Sequence, residues 1–323
     1  MADPYVLHQD IASYAEDKIN IKREDLIEYR AQVKRLEDNL AEYIADHPDY
    51  NLIKMLRAGS VAKGTALKTL QDMDVAVYIR KAADNSNESQ LISWMVERLR
   101  EAYKNNGVSP EQIQPSAHCA TIKFKGTGLS VDVSPVIYEG GADDRGYLVT
   151  KEGTRVLTSI PLHLQFIRKR KDKWPHHFRQ VIRLVKWWIK EQKRLDDNFR
   201  FKSFMAEMIC AHLSDTGLDF TNYITALEAF FVYIIKTGLR ERIAFTDNYG
   251  SDRLLASTGA AIEIFDPVNS QNNVAISYSI SDRERIVEAA KDALDSIHEA
   301  QYANTQQRAI DCWKRIFGPS FNL

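Results

Sequence analysis

Residues 59–79 read GSVAKGTALKTLQDMDVAVYI, with Asp72 and Asp74 one residue apart at the head of an apolar run. Strand side chains alternate between faces, so the two carboxylates share one face, while Met73, Val75, Val77 and Ile79 share the other and point into a core. Carboxylates held that close repel, and a divalent cation with oxygen ligands answers the repulsion. A second apolar run, LSVDVSPVI at residues 129–137, repeats the pattern: Leu129, Val131 and Val133 face one side, and Ser130, Asp132 and Ser134 face the other. Asp132 is thereby the candidate third acid.

Three converging carboxylates suit two Mg²⁺ ions about 3.5 to 4 Å apart, the machinery of in-line phosphoryl and nucleotidyl transfer. Mn²⁺ accepts the same oxygen ligands. Upstream, Gly59 lets the backbone approach a phosphate, and Ser60, opening a short helical turn, offers its hydroxyl and the turn's N–H groups to an anion. Gly64 and Thr65 turn the chain back toward the acids. A lone D-x-D usually marks a solvated turn, and a lone Gly-Ser is weaker still. What carries the reading is the ordered combination of GS, GT, D-x-D opening a strand, and a later acid in correct alternation.

Composition sets wider bounds. With 323 residues, 44% hydrophobic and 27% charged, the chain has room for two packed lobes of ordinary globular character. The net charge of -1 does not advertise nucleic-acid or membrane binding, so local distribution decides. Cys119, Cys210 and Cys312 lie far apart with no C-x-x-C pair, which predicts a reducing cytoplasm. The opening residues lack a basic stretch followed by an apolar one, and the longest apolar run, 229–235, is far short of the about 20 residues that span a bilayer. No membrane association is expected.

Apolar residues at three- and four-residue intervals predict a long amphipathic helix over 24–46. Gln90 to Asn105 reads as a second helix, and HCATIKFK at 118–125 as a strand joined through Gly126 and Gly128 to LSVDVSPVI. From about Thr158 helical spacing dominates. The expected architecture is α+β: a catalytic core with a mixed sheet over 1–157, including the long N-terminal helix, and a helical lobe over 158–323, with the site in the cleft between them. Between Arg168 and Arg194, eleven Lys and Arg stand against two acids, Asp172 and Glu191. Within that stretch Ile182, Val185, Trp188 and Ile189 are spaced for burial, which leaves Arg183, Lys186 and Lys190 for the surface. RKRKDKWPHHFR admits two readings: a nucleic-acid patch built on Arg168, Lys169, Arg170, Lys171 and Lys173, with Trp174 interleaved, or a solvated helix end that draws anionic nucleotides.

The signature 59–79 with SVDVSPVI downstream resembles the polymerase-β-type nucleotidyltransferases, in the form found in oligoadenylate synthetases, cGAS and the bacterial cGAS/DncV-like enzymes. By that resemblance Asp72, Asp74 and Asp132 match the metal-binding acids and Gly59-Ser60 the triphosphate-binding step. Lys186 matches a lysine that the family uses to hold triphosphate. FKSFMAEMIC is similar to a step in which Lys202 and Ser203 would meet phosphate. IFDPVNSQNNVA is similar to a nucleotide-binding loop around Asp266, although Ser270 replaces its usual proline. The resemblance spans about Gly59 to Val274 and implies a cyclic di- or trinucleotide synthase of antiphage signalling. It would use ATP, with or without another nucleotide, together with a HORMA-domain regulator, and double-stranded DNA on the 168–179 cluster. Alternatives are a nucleotidyltransferase acting on tRNA CCA ends or making linear 2'-5' oligoadenylate, and a non-catalytic nucleic-acid sensor. Two features favour the first reading: the chain leaves little room for the RNA-gripping domains of CCA-adding enzymes, and a dead site has no reason to keep mutually repelling carboxylates.

Overall fold

The structure, a computed structural model, describes residues 4–45, 47, 49–69, 72–82 and 87–323. Leu70 and Gln71 of the opening motif, and Asp46 at the expected helix end, lie outside the described residues.

The chain forms two compact units. The first runs from Ile21 to Gln165 and is built on a sheet. Helix α2, Arg23–Ile44, leads into strand β1, Tyr50–Ala58, the five-residue helix α3, Gly59–Lys63, and strand β2, Asp72–Lys81. (Helix α1, His8–Tyr14, precedes them.) Helix α4, Leu91–Ala102, is followed by β3, Ile113–Pro115, β4, Ala120–Lys123, β5, Ser130–Gly140, β6, Arg145–Val149, and β7, Arg155–Thr158. The strands make one mixed sheet in the order β1-β2-β5-β4-β3, with β6 on β5 and β7 on β6. Among the described strands of this sheet, β2 and β5 pair in parallel and the other pairs are antiparallel.

Strand β5 is long enough to serve two partners. Ser130 to Val133 pairs with β4, and Val136 to Gly140 pairs with β6. Pro135, which has no N–H to give, stands at the changeover. One face of the sheet is closed by helices: Met73, Val75, Val77, Ile79, Val131 and Val133 form one apolar cluster with Val33, Leu36 and Leu40 of α2 and Met95 and Leu99 of α4. Burial of that face commits Asp72, Asp74 and Asp132 to the other, because a one-residue slip would expose every one of those apolar side chains.

The second unit joins the residues up to Asn20 to Phe166–Leu323. It contains α1, most of α5 (Ile160–Lys173), α6 (His177–Leu195), α7 (Ser203–Asp215), α8 (Tyr223–Thr237), α9 (Ile280–Gln301) and α10 (Gln306–Phe317). The division thus departs from the expected 1–157 and 158–323. The N-terminal residues leave the sheet unit because their apolar side chains pack among helices. Tyr14 stacks on Phe317 with centroids 5.6 Å apart and donates its hydroxyl to the Phe317 carbonyl at 3.2 Å, while His8 lies against Tyr223. Strands β1, β3, β6 and β7 extend the sheet beyond the three strands expected.

Trp188 is fully buried, with its ring 4.9 Å from Phe231 and about edge-on to Phe199 and Phe201. Trp188→Ala should therefore destabilise the protein by about 3–5 kcal/mol in denaturant unfolding monitored by circular dichroism.

Candidate active site

Register brings the acids together. Asp74 pairs with Asp132 across the parallel β2–β5 ladder, and Asp72 pairs with Ser130. Side chains opposite one another in a ladder point to the same face, so the three carboxylates share one surface. The Asp74–Asp132 row continues to Ala58 on β1 and to Thr121 on β4. The next row runs Asp72, Ser130, Lys123.

Each acid has its own surroundings. Asp132 accepts a hydrogen bond from the Thr121 hydroxyl at 2.5 Å. Asp74 leans against Gly59: a methyl group built on Gly59 would sit 1.6 Å from Asp74 Oδ2 and 2.5 Å from Cγ. Gly59 also has φ +67°, a conformation that L side chains resist. Two independent constraints therefore require glycine at the start of α3. Partial burial pushes the Asp72 carboxyl above its usual range, the Asp132 charge adds to this, and Lys123 opposes it.

The donor set is hard carboxylate oxygen, which suits Mg²⁺ or Mn²⁺ better than a soft metal. Burial and, after it, the Asp132 charge raise the Asp72 pKa; a cation there would relieve the repulsion between the two carboxylates, and on both counts the residues fit a divalent cation. Among the described residues, no group of three or more His, Cys, Asp or Glu side chains is gathered closely enough to hold an ion as it stands. Asp132 is turned to Thr121 and Asp74 to Gly59. Ala58, the residue before α3, offers no side-chain acceptor to the helix's first N–H groups.

No model of a known protein family matches the chain. Over 322 residues it is 46% identical to the cyclic AMP-AMP-AMP synthase of Escherichia coli strain MS 115-1, covering 99% of each chain. It is 31% identical over 320 residues to the CBASS oligonucleotide cyclase CdnC of Escherichia coli strain KTE188, covering 97% of this chain and 96% of that one. The chain belongs to the CBASS oligonucleotide cyclases. These are bacterial cGAS/DncV-like nucleotidyltransferases, an enzyme type that uses divalent metal ions. Two solved structures of Escherichia coli MS115-1 CdnC, one in complex with HORMA-deltaN and one with ATP, match at 46% identity with TM-scores of 0.89; each match covers 99% of this chain and 99% or 100% of that one. Vibrio cholerae DncV, at 12% identity and a TM-score of 0.71, with 100% of this chain and 98% of that one covered, shares the fold.

In the cyclase's helical unit, the motif residues are engaged differently from expectation. Lys186 is not on the surface: it is 8% exposed and pairs with buried Glu207 of α7 at 3.4 Å. Glu207 stands one turn beyond Ser203, so Lys186 does approach the start of α7. There Lys202 donates its backbone N–H to the Tyr278 hydroxyl and its ammonium to the Val274 carbonyl, which joins two of the motifs. The Asp266 carboxylate accepts from the Val268 N–H at 2.8 Å and from the Asn272 side chain at 3.3 Å, which closes the loop from within.

Part of the basic cluster is compensated. Arg170, 3% exposed, is held by Asp215 and Asp247 and stacks over Phe166, and Lys169 also pairs with Asp247. Burial pushes the Asp247 carboxyl up, and the two cations more than reverse it. Lys171 pairs with Asp172, and Lys173 donates to the Ser214 carbonyl. Arg170 is therefore a packed structural residue rather than part of an open nucleic-acid patch, because acids distant in sequence fold onto the segment. Thr121 and Lys123 were not expected at the site. Both lie in HCATIKFK with the right alternation, but only the β4–β5 register aligns them with the acids.

Gly59→Ala should displace Asp74 and lower turnover by about 100-fold or more, with the far-ultraviolet spectrum unchanged. The raised Asp72 pKa means that between the ordinary carboxylate range and the raised value the folded state holds a proton that the unfolded chain has released, so the contribution of Asp72 to stability falls as pH rises through that window. Asp72→Asn should abolish that part of the fall; urea unfolding of both proteins without metal across about pH 4 to 7 measures it.

Proposed function

We propose that this cyclase condenses ATP into a cyclic oligonucleotide, cyclic AMP-AMP-AMP, and releases pyrophosphate. In each step an acceptor ribose oxygen bonds to the α-phosphorus of a second nucleotide, the bond from that phosphorus to the bridging oxygen breaks, and pyrophosphate leaves. The observation that carries this reading is the shared row of Asp74 and Asp132 with Asp72 one step away, in a chain 46% identical over its length to a cyclic AMP-AMP-AMP synthase.

Asp72, Asp74 and Asp132 are the residues that would hold a pair of Mg²⁺ ions, Mn²⁺ being a substitute. Such ions, when bound, neutralise the triphosphate and make a hydroxyl more acidic. Asp132 serves the acceptor side, and Asp72 and Asp74 serve both sides. Gly59 lets the backbone approach the triphosphate, and the Ser60 hydroxyl and first-turn N–H groups of α3 bind it. Lys202 and Ser203, at the start of α7, are phosphate contacts of the helical unit, and Lys186 supports that helix start through Glu207.

A HORMA-domain regulator is the proposed protein partner, since the 46% identical CdnC was solved in complex with HORMA-deltaN. The cytoplasm is the proposed location: all three cysteines are free and buried, and among the described residues no helix is long and apolar enough to cross a membrane.

Purified protein incubated with ATP and Mg²⁺, with and without a HORMA-domain partner, should release pyrophosphate and yield a product with the mass of cyclic AMP-AMP-AMP. Asp72→Asn with Asp74→Asn should reduce release to background while the thermal transition is kept. Linear products alone, or addition of C and A to tRNA lacking its CCA end, would sink the reading.

A further inference from the structure

We propose that Thr121 is the positioning residue of the acid row, restraining one oxygen of Asp132 so that the carboxylate stays on the face it shares with Asp72 and Asp74, where a divalent cation would be bound. The inference rests on the metal-binding reading of the three acids given above.

Thr121 lies directly opposite Asp132 in the antiparallel β4–β5 pair, so both side chains rise from the same face and their backbones are fixed by the ladder. The hydroxyl donates to Asp132 Oδ1 at 2.5 Å. A threonine hydroxyl has one hydrogen and an ionised carboxylate has none, so that hydrogen is committed to Asp132. Cys119, just before β4, places its sulfur 3.8 Å from Thr121 Oγ1.

The Thr121 hydrogen bond engages Oδ1 of Asp132, and a carboxylate, with two lone pairs on each oxygen, can accept it and still ligate a cation. A carboxylate on a strand can rotate about two torsions, and three like charges on one face favour rotation apart. A donor on the neighbouring strand, rigid because it is β-branched, removes that freedom at Asp132. Groups that hydrogen-bond a metal-ligating side chain typically contribute about 10–100-fold to metal affinity or activity.

The test compares wild type, Thr121→Val, Thr121→Ser and Asp132→Asn. Mg²⁺ is titrated against each protein held with a non-hydrolysable ATP analogue and read by thermal shift; kcat and KM for ATP are measured in parallel. Thr121→Val keeps shape and loses the donor. It should raise the half-saturating Mg²⁺ concentration by about tenfold or more and lower kcat, with KM for ATP changed less than about twofold. Thr121→Ser should restore most of both. If Thr121→Val lowers the melting temperature but keeps wild-type Mg²⁺ half-saturation while Asp132→Asn loses the Mg²⁺ response, Thr121 is merely structural and the proposal falls. If Asp132→Asn itself responds to Mg²⁺ as wild type does, the metal-binding reading of the acids falls, and the proposal with it.

Discussion

Repulsion among three carboxylates on one face of a sheet is the constraint on which the rest of the structure depends. A flexible loop would let Asp72, Asp74 and Asp132 swing apart. The sheet denies them that escape in two ways. The parallel β2–β5 ladder locks Asp74 beside Asp132, and the opposite side chains of both strands are sealed under α2 and α4. To separate the acids by slipping the register, the protein would have to expose a contiguous set of buried valines and isoleucines, each worth about 1.5–3 kcal/mol of burial. The hydrophobic face thus holds the charged face in place.

The same sheet explains why glycine opens α3. Strand β1 runs antiparallel to β2 and ends with Ala58 beside Asp74, so the next residue begins its turn against that carboxylate. A side chain there would push Asp74 out of the row. The turn at Gly59 and the acids on β2 and β5 are therefore one packed arrangement within the sheet unit rather than two motifs that happen to be near in sequence.

In the helical unit a basic residue in the sequence is not always a basic group at the surface. A buried cationic side chain is tolerable only when paired, because taking the charge out of water costs several kcal/mol. Arg170 meets that need with Asp215 and Asp247, and Lys186 meets it with Glu207. These acids lie 21 to 77 residues away along the chain, so charge counted over a window of sequence overstates the field that the folded segment presents.

Much of the sheet unit could be read from its sequence. Period-two alternation in DMDVAVYI and LSVDVSPVI is a local property, and it determined which side chains face the core and which face outward. The helical character of residues after Thr158 and the buried role of Trp188 followed from local spacing in the same way. What the sequence could not determine was anything that depends on which strand lies beside which. Strand register placed Thr121 against Asp132 and Lys123 against Ser130, and packing drew the N-terminal residues onto α8 and α10 instead of the sheet. It also turned Lys186 inward, because Glu207 waits there. Periodicity is written residue by residue along the chain, whereas pairing is chosen by the free energy of the whole fold, and only the tertiary structure records that choice.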